Sequence, residues 1–266
     1  MNTAAIKKYW MIHNPHPVRS RATGTLIADG YIELILVEGQ VIIQLNDHAE
    51  TYYSGVYLIG QLQGKAALIL APQTKVHFFK LHAWANGMVT VVPFVELTNQ
   101  VIALADINPS LASTIKEVHV ISTIPSLMHF INTKLHTSSH NASTSLFIKE
   151  ATQRLMIQNL EFGNVKKQLL TEFRISAKTM ETKFKQHIGL TPKQFSLKVN
   201  LRKAVENMIY NPSHESLTEL ALSSGFYDQS HFIRSFKTVF HTVPSQFQAK
   251  SYFIPNSKEE LRFYTI

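Results

Sequence analysis

The chain contains no cysteine. Disulfide bonds, thiol nucleophiles and thiolate metal sites are therefore excluded, and nothing calls for an oxidising compartment. Long apolar stretches are also missing: none reaches about 18 residues, and the first residues lack the apolar core of a signal peptide. These absences predict a cytoplasmic protein without a transmembrane helix.

Charged residues are few, at 17% of 266 residues, whereas 45% are hydrophobic. This composition is typical of a globular protein of one large domain or two ordinary ones. Most of the net charge of +8 lies in residues 164–250, which hold 13 Lys and Arg against 6 Asp and Glu. Such a concentration favours a polyanionic partner, with ordinary surface charge as the alternative interpretation.

Short apolar runs separated by turn residues dominate residues 24–95 and predict strands of a sandwich or small barrel. From about Val95 the spacing of apolar residues becomes helical, first at Leu97, Val101 and Leu104. Residues 137–145 are small and polar, so we expect a domain boundary there.

An internal repeat occupies the basic segment. The stretch 184–195 aligns with 236–247 at an offset of 52 residues, and Phe, Lys, Pro, Gln and Phe recur in register. A pair of short helices is predicted in each copy, at 165–173 and 176–188 and then at 217–223 and 228–240. Two short helices joined by a short turn, with aromatic residues between them, are typical of a helix-turn-helix unit.

Local signals support this interpretation of the second copy. Ser216 and Glu219 fit a capping box, Gly225 supplies a left-handed residue, and Asp228 can cap the next helix. Between the copies, Thr191 and the proline after it open a helix of about 19 residues, roughly 28 Å long, which ends near residues 211–212. This length is close to one turn of B-DNA, about 34 Å, which two tandem recognition helices on one face would need to span.

Residues 225–237 read Gly-Phe-Tyr-Asp-Gln-Ser-His-Phe-Ile-Arg-Ser-Phe-Lys, followed by Pro244 and Phe247. With the first copy, this run resembles the C-terminal domain of the AraC/XylS family of bacterial transcription regulators. The N-terminal half is similar to the family's cupin-like sensory domain at Tyr9-Trp10 and at 29–34 and 95–99. The implied fold class is α+β: a cupin-like β sandwich or barrel with helices, then an all-α double helix-turn-helix joined by a long linker helix.

The resemblance also implies a division of the chain and a set of partners. Residues 1–140 would be a sensory and dimerisation domain with helices at 97–135, residues 141–163 a linker and lead-in helix, residues 164–250 the DNA-binding domain, and residues 251–266 a tail. The partners that the resemblance implies are double-stranded DNA, a small-molecule effector, RNA polymerase and a second copy of the chain. The sequence leaves open whether such a regulator is an activator or a repressor. No cofactor, metal or membrane is expected.

The resemblance assigns the residues that contact DNA. Base reading is expected from Lys178, Glu181 and Thr182 in the first unit and from Gln229, Ser230, His231 and Arg234 in the second. Phosphate contacts are expected from Lys183, Lys185, Lys193 and Lys237. Because Arg binds guanine and Gln binds adenine bidentately, whereas Thr182 offers only a hydroxyl or methyl group, specificity should rest more on the second unit.

Four positions depart from the family pattern. Arg174 stands where the first turn usually has glycine, and Thr182 where its recognition helix usually has arginine. His241 replaces a glycine and must accept or avoid a left-handed conformation. Val243 replaces a Ser or Thr cap before Pro244, an expected loss of about 1 kcal/mol.

Two other functions remain open. A metal-dependent cupin-type enzyme would need clustered His and carboxylate ligands, but His77 and His82 fall on opposite faces of a strand, and no GxSxG, HExxH or phosphate loop occurs. A DNA-binding factor that needs no ligand is the other alternative. Ligand-binding residues are not identified, although Trp10, Tyr31 and Trp84 are candidates for the wall of an apolar pocket.

Overall fold

The computed structural model describes residues 4–17, 21–45, 47–121, 123–137, 142–157, 161–210, 216–253 and 261–265. Within them, a largely antiparallel sheet is followed by helices, so the chain is a mixed helix and sheet protein. The strands are β1 (Ile6–Asn14), β2 (Ala22–Ile27), β3 (Ile32–Leu45), β4 (His48–Ile59), β5 (Lys65–Leu70), β6 (Thr74–Leu81), β7 (Val101–Ala103) and β8 (Leu261–Thr265).

Ten helices are present in this part of the chain, and none of them is long and apolar enough to cross a bilayer. They are α1 (Asn86–Val89), α2 (Leu104–Ile107), α3 (Pro109–Ile121), α4 (Ile124–Thr137), α5 (Ala142–Met156), α6 (Phe162–Glu172), α7 (Ala177–Ile188), α8 (Pro192–Tyr210), α9 (Leu217–Ser223) and α10 (Gln229–Phe240).

Strand β3 is the centre of the sheet. The strands run in the order β2-β5-β3-β6-β1-β8, and β4 pairs with the other edge of β3 and with β7. A bulge interrupts the pairing of β3 with β4 between Val37 and Gln40, where Gly39 has φ +110°. The bulge divides β3 into a first half that pairs with β6 and a second half that pairs with β5, so the sheet bends there.

Both faces of the sheet are buried, which explains why its strands read as nearly continuous apolar runs. Trp10 stacks on Phe78 with ring centroids 3.8 Å apart on one face. Tyr9 and Phe79 belong to the opposite face, whose core includes residues of α3, α4 and α5. Side chains of adjacent residues thus enter two different cores, as the two-residue period of a strand requires.

Three details of the expected N-terminal half are wrong. The predicted β region extends to residue 95, but β6 ends at Leu81 and α1 follows. The apolar spacing from Leu97 to Leu104 was predicted to be helical, but residues 101–103 form β7 and pair with the edge of β4 that faces away from β3. Strands β1 and β8 were not predicted, and β8 joins the predicted tail to β1 in parallel register.

The predicted helices of the basic segment are confirmed. Helices α7, α9 and α10 begin within one residue of the predicted positions, whereas α6 begins three residues earlier than predicted, at Phe162. Parts of four predictions lie outside the described residues. They are the end of the long helix at 211–212, residues 138–141 of the domain boundary, residues 158–160 of the linker, and residues 254–260 and 266 of the tail.

The helices of the basic segment enter two cores. Met180, Phe184 and Ile188 of α7 lie in the same core as the sheet face that carries Tyr9. The second repeat has another core, built around Phe232, Phe236 and Phe240 with part of α8. The first repeat is therefore packed with the N-terminal half, while the second repeat packs largely on α8 and on itself.

Gly24 provides a test of how the chain after α10 packs on the sheet. A Cβ at residue 24 would overlap the ring of Phe253, whose backbone N–H donates to the Thr25 carbonyl at 2.8 Å. We expect Gly24→Ala to lower the free energy of unfolding by about 1–3 kcal/mol, as overpacking does. Chemical denaturation measures this, with Gly87→Ala as the control because a Cβ there meets no atom within 4 Å. In a Phe253→Ala background the cost of Gly24→Ala should largely vanish; an unchanged cost contradicts the assignment.

Candidate nucleic-acid interface

Helices α6 and α7 form the first helix-turn-helix unit. The turn contains Arg174 in a left-handed conformation, with φ +49°, and the Ser176 hydroxyl then accepts a hydrogen bond from the backbone N–H of Thr179 at 3.0 Å. This cap begins α7, and Gly189 ends it with φ +82°. The apolar positions of α7 face the core, so its polar positions face outward.

The residues predicted for this helix differ in their exposure. Lys178, Thr182 and Lys185 are exposed, whereas Glu181 and Lys183 are partly buried. Glu181 and Lys185 form an ion pair at 3.1 Å along the helix. Glu181, which was predicted to read bases, is therefore paired with Lys185, which was predicted to contact phosphate.

A loop from the N-terminal half lies beside the same helix. Pro93 and Val95 share a shallow groove with Lys178, Glu181 and Thr182. At the end of α7, the backbone N–H of Phe94 donates to the Gln186 carbonyl at 2.8 Å, and the Asn86 amide donates to the His187 carbonyl at 2.7 Å. The exposed face of α7 is thus bounded by residues outside the helix-turn-helix.

Helices α9 and α10 form the second unit, which has the local signals that the sequence indicated. The Ser216 hydroxyl and the Glu219 carboxylate make a complete capping box, and Gly225 follows with φ +89°. Asp228 accepts a hydrogen bond from the His231 backbone N–H at 2.6 Å and caps α10. His241 accepts the left-handed conformation, with φ +56°, that the sequence left open.

The outward face of α10 is more open than that of α7. Ser230, His231, Arg234 and Lys237 are exposed, and among the described residues the Arg234 guanidinium has no ion-pair partner. Gln229 is half-buried, and its side-chain oxygen accepts a hydrogen bond from the Thr218 hydroxyl at 2.9 Å. The second unit thus presents one free guanidinium where base reading was expected.

Helix α8 connects the two units. The Thr191 hydroxyl accepts from the Gln194 backbone N–H at 3.1 Å, and the Gln194 side chain accepts from the Thr191 N–H at 2.9 Å, so the N-terminus is capped in both directions. Lys193 is exposed on the first turn of this helix. The opposite side of α8 packs on the N-terminal half.

Buried ion pairs connect α8 to the sheet. Lys80 pairs with Asp29, and Arg202 of α8 lies 3.6 Å from the same Asp29 carboxylate and 2.7 Å from Glu206. Burial opposes ionisation of Asp29, but the charges of Lys80 and Arg202 outweigh it and hold the pKa of this carboxyl below its usual range. The pairing of these residues could not be predicted from the sequence, because it forms only when α8 packs on the sheet.

A cavity of about 140 Å³ opens beside this cluster. Tyr31 lines it, as one of the three aromatic residues proposed for a pocket wall, together with basic and acidic side chains from the sheet and α8. Trp10 belongs to the sheet core and also lines a smaller pocket with Tyr31, whereas the Lys149 ammonium lies 4.7 Å above the ring centroid of Trp84. Charged side chains therefore line this cavity together with the apolar side chains of Met156 and Val199.

Comparison with known proteins places the basic segment in a family. A family model described as a helix-turn-helix domain matches residues 169–250. The HTH-type transcriptional activator RhaS of Salmonella arizonae is 36% identical over 73 residues, 27% of this chain and 26% of the relative. This segment is an AraC-type helix-turn-helix domain.

Two further matches extend the comparison. An uncharacterized HTH-type transcriptional regulator of Haemophilus influenzae is 35% identical over 65 residues, 24% of this chain and 21% of that protein. The match to these curated relatives thus spans about a quarter of their length. The structure of ToxT from Vibrio cholerae has 9% identity and a TM-score of 0.47, covering 90% of this chain and 97% of that one.

Glycine at the two left-handed positions of the AraC-type domain should stabilise the protein. Arg174 and His241 each have a positive φ that costs an L residue about 1 kcal/mol. We expect Arg174→Gly and His241→Gly each to raise the free energy of unfolding by about 0.5–1 kcal/mol in denaturant titrations. Lys167→Gly, at an exposed position inside α6, is the control and should lower it by a similar amount. A loss of stability in all three variants contradicts the expectation.

Glu33 should make the protein less stable as the pH rises. Burial raises the pKa of the Glu33 carboxyl to about 7, because the nearby Lys80 offsets only part of the desolvation. The folded carboxyl holds its proton more tightly than the unfolded one, so its contribution to stability is complete below about pH 4.5 and is lost as the pH rises through about 7.

Removing this carboxyl should therefore help most at high pH. We expect the stability of Glu33→Gln relative to the wild type to increase from pH 5 to pH 8, by at most about 1.4 kcal/mol per pH unit. Thermal unfolding across this range measures the difference, and Glu96→Gln, an exposed carboxyl, should show none. A difference for Glu33→Gln that does not change with pH contradicts the shift.

Proposed function

We propose that the protein is a sequence-specific DNA-binding transcription regulator. The observation that carries the proposal is the pair of helix-turn-helix units, each of which buries a phenylalanine-containing face and exposes a polar and basic face. The net charge of +7 in residues 164–250 supports the same partner, because a DNA duplex attracts basic side chains through its phosphates.

The second unit reads bases in this proposal, chiefly through Arg234. Its exposed guanidinium can bind guanine O6 and N7 together, and Ser230, His231 and Gln229 lie along the same helix. In the first unit, Lys178 and Thr182 are accessible, while the Glu181 carboxylate is paired with Lys185 and would have to leave it to accept from a base. The first unit therefore contributes less to specificity.

Phosphate contacts position the domain. The residues proposed for them lie on α7 (Lys183 and Lys185), on the first turn of α8 (Lys193) and on α10 (Lys237). Contacts of this kind raise affinity for any sequence. In the same proposal α8 (Pro192–Tyr210) is the rigid linker that sets the spacing of the two units on the duplex.

The N-terminal half is the sensory part of the regulator in this proposal, with a cupin-like sheet, a dimer interface and RNA polymerase as a further partner. Residues 1–140 and 164–250 are the two functional divisions. The cavity between the sheet and α8 is where a small-molecule effector would bind, because Tyr31, Lys80 and Arg202 connect it to both parts of the chain. An effector there would act on α8 directly.

Arg234→Ala tests the assignment of base reading. We expect the variant to lose about 1–3 kcal/mol of binding free energy on the operator, to relax specificity at one base position and to bind random DNA as before. Lys237→Ala should instead weaken binding to both duplexes, and it should reduce the slope of log affinity against log salt concentration by about one. Fluorescence anisotropy with the DNA upstream of the protein's own gene and a shuffled duplex, over a series of salt concentrations, measures both.

Lys116→Ala, an exposed lysine on α3 outside the basic segment, is the matched control and should leave binding unchanged. Equal losses of Arg234→Ala on the two duplexes would show that this side chain contacts phosphate only. No salt-sensitive binding by the wild type to any duplex overturns the proposed function.

A further inference from the structure

Two histidines and a glutamate meet at the edge of the helix-covered face of the sheet. His77 of β6 and His119 of α3 place their Nε2 atoms 2.9 Å and 2.5 Å from one oxygen of Glu38. One potential ligand atom from each residue lies within 4.8 Å of the other two. Neither the AraC-type domain nor the proposed DNA contacts use these residues.

We propose that Glu38, His77 and His119 bind one Zn²⁺ ion. Two imidazole nitrogens and one carboxylate oxygen are a ligand set that zinc takes in open sites, with a fourth position left for water. Ligand atoms around a tetrahedral zinc lie about 3.4 Å apart. The two Nε2–Oε1 distances would therefore lengthen by about 0.5–0.9 Å, and the two nitrogens, which lie within 4.8 Å of each other, would approach by up to about 1.4 Å. The ion would enter the space toward which both Nε2 atoms point.

The backbone at Glu38 allows this adjustment. Glu38 begins the bulge of β3, where the strand bends and a side chain is redirected relative to a regular ladder. The Glu38 side chain keeps 40% of its surface exposed, whereas the side chains of His77 and His119 keep 6% and 19%. The carboxylate can thus withdraw from the two rings toward solvent, and more of the movement falls on it than on the buried rings.

Tyr9 supplies the supporting contact that zinc-bound histidines usually have. Its hydroxyl lies 2.8 Å from the Nδ1 atom of His77, on the side of the ring opposite Glu38. When Nε2 of His77 binds a metal, the proton of the neutral ring resides on Nδ1 and can be donated to the Tyr9 oxygen. Such contacts orient the ring, and their removal typically weakens metal binding by 10–100-fold.

A zinc ion at this site would connect three elements. His77 and Glu38 lie on the paired strands β6 and β3, and His119 lies near the end of α3 (Pro109–Ile121). Binding would therefore fix α3 on the sheet and stabilise the folded chain against unfolding. The site is separate from the charged cavity beside α8, whose lining includes none of the three residues.

The test uses untagged full-length protein that has been freed of metal with a chelator. Zinc is titrated in competition with a chromophoric chelator, and Co²⁺ serves as a visible-absorption probe of the same site. We expect one ion per chain in the wild type and His129→Ala, an exposed histidine on α4. His119→Ala should lose this ion, with affinity lower by about 100-fold or more, and Tyr9→Phe should weaken binding by about 10–100-fold.

Zinc should also raise the melting temperature of the wild type and His129→Ala but not of His119→Ala. Because His119→Ala can destabilise the fold, Glu38→Gln is measured beside it. It retains an acceptor for the two rings but no charge, and it should also bind zinc more weakly than the wild type. Equal zinc affinity in the wild type, His119→Ala and Glu38→Gln overturns the proposal, as does the absence of a bound ion in the wild type.

Discussion

The packing of α7 into the core of the N-terminal half constrains the whole molecule. Phe184 of this helix lies near Phe147 of α5 and Phe195 of α8, with ring centroids 6.4 Å and 6.1 Å apart, and all three belong to the core that also contains Tyr9 of the sheet. Because α7 shares its core with the sheet, it cannot rotate without repacking that core, since protein interiors are close-packed. The orientation of the first unit is thus coupled to the state of the N-terminal half.

The buried charges beside α8 add a second constraint on the same arrangement. The Asp29 carboxylate forms ion pairs with both Lys80 and Arg202, and all three side chains are buried from solvent. Clusters of this kind contribute little net stability, because desolvation offsets the attraction, but removing one member leaves an uncompensated charge and costs about 3–5 kcal/mol. They therefore restrict where α8 can lie on the sheet more than they strengthen the fold.

The two helix-turn-helix units differ for the same reason. The second unit has a core of its own around Phe232 and Phe236, and the exposed face of α10 is free of the N-terminal loop that borders α7. The first unit is held from both sides, by the core below α7 and by the residues near Phe94 at its end. The exposed face of α10 therefore stays accessible on its own, whereas the accessibility of α7 depends on the rest of the chain.

Local signals in the sequence were sufficient for the helix-turn-helix units. Ser216, Gly225 and Asp228 act within one or two turns of their own position, so the boundaries of α9 and α10 were predicted from them. The phenylalanine spacing likewise predicted which face of α10 is buried. Conversely, strands β1, β7 and β8 escaped prediction, because each is defined by a partner distant in sequence rather than by its own residues.

The sequence by itself determined that the chain carries a basic pair of helix-turn-helix units with exposed polar faces. Tertiary structure decided the contacts between elements distant in the chain: the ion pairs of Asp29 with Lys80 and Arg202, and the contacts of Glu38 with His77 and His119. These histidines lie 39 and 81 residues from Glu38 along the chain, and one is on a strand and the other on a helix. Helical and strand periodicity describe neighbours within one element, so contacts between elements arise only when the chain packs.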